Sequence, residues 1–108
     1  MAMHELVVQI VRFVDSAQPG WVEAEFVDAK GERHTLIDKI PIFTGEDLWI
    51  DSKYPVAGGV GCEVLQRYRD EKGKEVVRIT TERPCPVEST KGLTEFVVPA
   101  NLIISALV

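Results

Sequence analysis

The sequence predicts an all-β fold, a small antiparallel barrel or sandwich of about six strands with one short helical turn, as a single domain over residues 1–108. Three observations carry this. Runs of alternating apolar and polar residues recur along the chain, the period of a half-buried strand. The pattern D-x-K-G occurs twice, as Asp28-Ala29-Lys30-Gly31 and Asp70-Glu71-Lys72-Gly73, each time between two such runs. Asp suits the start of a type I turn because its carboxylate accepts a backbone N–H two residues on, and Gly takes the positive φ that closes the bulged hairpin loop. The one helix-start signal is too short for more than one or two turns.

The elements follow in order. Glu5 to Val14 is rich in Val and Ile and reads as a central strand with both faces partly covered. The turn from Asp15 to Gly20 contains Pro19 and Gly20, which stop it. Trp21 to Val27 and Arg33 to Phe43 form the first hairpin, with Pro41 ending the second strand or placing it on an edge. A loop of three residues sets the register. It puts Phe26 opposite His34, Ala24 opposite Leu36 and Val22 opposite Asp38, the better core face. The other face pairs Glu25 with Thr35, Glu23 with Ile37 and Trp21 with Lys39.

Thr44-Gly45-Glu46-Asp47 resembles a helix start, with a capping hydroxyl and acids for the N-terminal dipole. Pro55, Gly58, Gly59 and Gly61 predict an irregular segment from Asp51 to Gly61. Cys62 to Asp70 and Lys74 to Glu82 form the second hairpin, with Arg69 opposite Glu75, Tyr68 opposite Val76 and Leu65 opposite Ile79. Arg83 to Leu93 is a proline-bearing loop, and Thr94 to Val98 the sixth strand. The uncharged tail from Pro99 to Val108 reads as a seventh strand, a short helix or a self-association surface. The hydrophobic strands are expected to close on themselves, since open apolar edges invite aggregation.

The composition, 45% hydrophobic and 27% charged with a net charge of −5, is ordinary for a globular domain. An acidic balance argues against a nucleic-acid binder, which needs clustered Lys and Arg. No apolar run reaches the roughly 20 residues of a membrane span. The start lacks the basic region of a signal peptide, so a cytoplasmic location is expected. Cys62 and Cys85 are then expected to stay reduced. No CxxC or His/Cys cluster suggests zinc, and the spacing of Glu46, Asp47 and Asp51 does not fit an EF-hand. Gly58-Gly59-Val60-Gly61 precedes a strand rather than the helix a phosphate cradle needs. No metal or cofactor is expected.

Two sets of side chains are candidates for function. His34 shares a face with Phe26 and Leu36. An imidazole there can act as a base or a proton-linked switch, and the plain alternative is a half-buried hairpin histidine. Asp38 breaks the apolar pattern of Leu36-Ile37-Asp38-Lys39-Ile40, and an inward acid is costly unless it is paired. Cys85, held between Pro84 and Pro86, needs a cation such as Arg83 and a base to react. Ser89 and Thr90 suit turn hydrogen bonds better than nucleophilic roles. His34, Asp38 and Cys85 together make the polar site of a small hydrolase. The second set is Trp49 and Tyr54 with Asp51 and Glu88, a partner-binding patch of the kind that aromatic anchors form.

Val22 to Gly31, Thr81-Glu82-Arg83-Pro84, Val87-Glu88-Ser89-Thr90 and Gly92 to Phe96 resemble small bacterial proteins of about this length. No activity is established for that group, so the resemblance carries no site residues. By analogy with toxin-neutralising immunity proteins of this size and acidity, such a chain binds another protein. The expected function is a non-enzymatic protein-binding module, engaging a partner or forming a homodimer. The immunity role and the hydrolase are the alternatives.

Overall fold

Alternation along the strands sets up one continuous buried face, and the fold curls around it. The computed structural model describes residues 2–107; Met1 and Val108, included in the start and tail above, lie outside the described residues. The order is β1 (Ala2–Asp15), β2 (Trp21–Val27), β3 (Arg33–Lys39), a helical turn α1 (Ile40–Phe43), β4 (Val56–Arg69), β5 (Glu75–Thr80), β6 (Glu95–Pro99), a 3-10 turn (Ala100–Leu102) and β7 (Ile103–Leu107). All pairings are antiparallel, in the order β3-β2-β1-β4-β5-β6. β1 is long enough to serve three partners. Gln9–Asp15 pairs with β2 and Ala2–Leu6 with β7 along one edge, and His4–Ile10 pairs with β4 on the other.

The sheet curls into a half-barrel rather than closing by a continuous ladder. Backbone contacts span its open side. Ala29 N–H donates to the Val97 carbonyl at 2.9 Å, and Leu36 forms a lone bridge with Ser89. Inside lie Leu6, Val8 and Ile10 of β1, Val22, Ala24 and Phe26 of β2, and Leu36, Val60, Val77, Ile79, Phe96 and Val98. Loop and turn residues Ile40, Phe43, Leu48 and Val87 seal this core.

The first hairpin has the expected register at every pair from Phe26–His34 to Trp21–Lys39, with Val22, Ala24 and Phe26 buried as read. Three expectations are corrected. The second hairpin pairs Arg69 with Glu75 and Tyr68 with Val76, but Ile79 faces Val64, because a bulge between Val64 and Gln66 absorbs Leu65. The helical turn is Ile40–Phe43, not a helix from Thr44; Pro41 suits a first helical turn, and the Thr44 hydroxyl instead accepts the Glu46 N–H at 3.1 Å. The glycines of 58–61 are strand, not irregular loop. A Cβ on Gly58 would stand 2.9 Å from the Phe43 carbonyl oxygen and 3.0 Å from Ile10 Cδ1, so β1 and α1 can approach only a bare backbone. Of the readings of the tail, the seventh strand is the one that forms, after a 3-10 turn.

Candidate functional site

Both D-x-K-G turns form as their residues dictate. In each, one oxygen of the Asp carboxylate accepts two N–H groups at 2.9 Å: Lys30 and Glu32 for Asp28, Lys72 and Lys74 for Asp70. Gly31 and Gly73 take φ of 83° and 78°. A third copy of the turn is present at Ser89-Thr90-Lys91-Gly92. The Ser89 hydroxyl accepts from Lys91 and Leu93 N–H at 3.2 Å, and Gly92 has φ 79°. A hydroxyl replaces the carboxylate, so S-x-K-G was the signal for a third turn. The turn hydrogen bonds expected of Ser89 are present.

The β2–β3 and β4–β5 tips, far apart in sequence, line one groove of about 870 Å³ with Phe96 and Val97 of β6. At its base His34 is 5% exposed. Its Nε2 lies 2.8 Å from Asp28 Oδ2, and a carboxylate only accepts, so Nε2 carries the proton and donates. The ring stacks on Phe26 and meets Phe96 edge-on, with centroids at 5.2 and 4.9 Å. Burial pushes the Asp28 carboxyl up, but the bonds from His34 and from the Glu32 and Lys30 N–H groups outweigh it and hold the group below its ordinary value. His34 Nδ1 is buried without a hydrogen-bond partner.

Among the described residues, Asp28, Glu32 and His34 are grouped as a metal would need, with ligand atoms within 4.8 Å of one another. The groups around these side chains argue against it. A metal on Nε2 would drive the ring proton to Nδ1, where no acceptor waits, and Glu32 already receives Lys91 Nζ at 3.2 Å.

The structure pairs His34 with Asp28 rather than with Asp38 or Cys85. Asp38 lies four residues along β3, roughly 13 Å away at strand rise. It is half-buried at the opposite end of the strand and accepts the Lys39 N–H at 2.8 Å. Cys85 is a free, exposed thiol in the 81–94 loop, and Glu88 is exposed in the same loop. Among the described residues, no hydroxyl or thiol hydrogen-bonds to His34. The other thiol, Cys62, is pushed up to about 11 by burial and by the nearby Glu5 charge, and so holds its proton near neutrality. What was missed is Asp28 as the partner of His34. The signal was there: Phe26 opposite His34 makes Asp28 its diagonal neighbour on the same face.

The 44–55 loop is built the other way round. Leu48 is buried and Tyr54 packs on the core, with its hydroxyl donating to the Trp49 carbonyl at 2.6 Å. The Ser52 hydroxyl accepts the Trp49 N–H at 2.9 Å. These anchors hold the backbone while Trp49 and Ile50 stand 64% and 80% exposed. Both side chains, with Asp51, face Phe13, Val14, Asp15 and Ser16 across an open cleft of about 740 Å³. Of the sequence-predicted patch, Trp49 and Asp51 reach this cleft, Tyr54 supports it from behind, and Glu88 belongs to the 81–94 loop.

No protein-family model, curated protein or solved structure matches the chain. No helix is long and apolar enough to cross a membrane among the described residues.

Proposed function

We propose that the protein is a binding module that engages a protein partner through the Trp49–Ile50 loop. One observation carries the reading: two large apolar side chains, 64% and 80% exposed, are held out by a loop whose own anchors are satisfied. Leaving such groups in water has no benefit to the folded monomer, whereas a rigid tryptophan beside an apolar cleft is the usual anchor of a binding hot spot. Truncating Trp49 tests this. Trp49→Ala is expected to move unfolding free energy by less than about 0.5 kcal/mol, as for other surface changes. It is expected to abolish capture of a partner from host extract, confirmed with that partner purified. A large stability loss would make the ring part of the core and end the reading.

A further inference from the structure

Resting on that reading, we propose that the partner presents a basic segment, an apolar side chain flanked by arginine, which seats in the Trp49–Phe13 cleft. Charge around the cleft is one-sided. Asp15 and Asp51 line it, and Glu46 and Asp47 stand in the same loop just before Trp49. Among the described residues none of these four carboxylates has a cationic partner. No cation lines the cleft among the described residues: Arg12, next to Phe13 in the chain, is spent on Glu23 at 2.9 Å, and Lys39, across Trp21 from Asp15, lies over the Trp21 ring. Elsewhere Glu23, Glu25, Glu32, Glu63, Glu75 and Glu95 each meet an arginine or lysine and Asp28 meets His34, while the other acids do not line this cleft.

The three parts of the cleft ask for different chemistry. Phe13, Val14 and Ile50 offer an apolar wall to an aliphatic side chain. The exposed face of Trp49 is the best aromatic surface for a guanidinium. Asp15 and Asp51 accept its N–H groups, and a planar fork matches a carboxylate better than an ammonium does. A second copy of this chain is disfavoured, because a two-fold contact here would set the four acids against themselves. An anionic membrane is disfavoured by the same charge.

The test uses the whole chain and three labelled peptides in which leucine alternates with arginine, lysine or citrulline. Binding is read by fluorescence anisotropy and by amide shifts. The arginine peptide is expected to bind about tenfold tighter than the citrulline peptide, with shifts confined to 13–16 and 48–52. Asp15→Asn and Asp51→Asn are each expected to weaken it about two- to fivefold, the range of a partly exposed charge pair. Raising salt from 50 to 300 mM is expected to weaken it further. Trp49→Leu keeps an apolar side chain and is expected to erase the preference for arginine over a lysine–leucine peptide. Equal binding of the arginine and citrulline peptides at this face overturns the basic partner and leaves the binding module standing. Shifts elsewhere, or none at millimolar peptide, overturn both. So does dimerisation that Ile50→Ser abolishes in sedimentation, or insertion of Trp49 into phosphatidylcholine–phosphatidylglycerol vesicles.

Discussion

The Asp28 and Asp70 turns have the same backbone and different duties. Each closes with the same pair of N–H bonds to one carboxylate oxygen and the same glycine in left-handed φ. The difference is the second oxygen. In Asp28 it receives the buried His34 ring, which in turn packs Phe26 against Phe96 of a distant strand. In Asp70 it has no such partner among the described residues, and the nearby ion pair of Arg69 and Glu75 is two-thirds exposed on both sides. The comparison teaches that a local motif sets the path of the chain, and that the tertiary neighbour decides whether it is punctuation or a keystone.

Removing the keystone is expected to have the largest effect. Asp28→Ala strands two backbone donors and the His34 Nε2–H, and is expected to cost about 2–4 kcal/mol in urea unfolding, since bonds to charged groups contribute about 1.5–3 kcal/mol each. Asp70→Ala strands the same backbone donors in water and no buried ring, and is expected to cost about 1 kcal/mol. Equal losses at the two positions would dissolve the distinction.

Glycine replacement probes the part the two turns share. Gly31→Ala and Gly73→Ala place a Cβ in open space at φ 83° and 78°. Each is expected to cost about 1–2 kcal/mol, the left-handed penalty alone, and to the same extent. A clear inequality would mean that the two backbones are not equivalent.

Acid sharpens the contrast at smaller amplitude. Because the Asp28 carboxyl is held below its ordinary value of 3.8, its contribution is fully present above that value and is lost as pH falls through the lower folded one. Asp28→Asn is therefore expected to flatten the loss of stability below about pH 4. The same change at Asp70 tests whether that sensitivity is special to the His34 pair.

A similar contrast separates the His34 end from the 44–55 loop. At His34 a polar ring is buried and largely satisfied; at Trp49 an apolar ring is exposed and unsatisfied. Both depart from the pattern of polar outside and apolar inside. The second leaves large apolar side chains in water that another molecule can cover.

Near-neighbour chemistry lays down most of the strands, the two hairpins and the inward face of the first, because a period of two and the turn chemistry of Asp and Gly act over short stretches of chain. It locates His34 on the core face and Trp49 in the long loop for the same reason. What each meets is set by packing across the fold. The Val64–Gln66 bulge, the paired glycines of β4 and the half-barrel arise from how strands distant in sequence twist and crowd one another. The burial of His34 against Phe96 and the exposure of Trp49 beside Phe13 likewise depend on which surfaces the curled sheet brings together. No local pattern encodes that, since packing is settled between residues the chain places far apart.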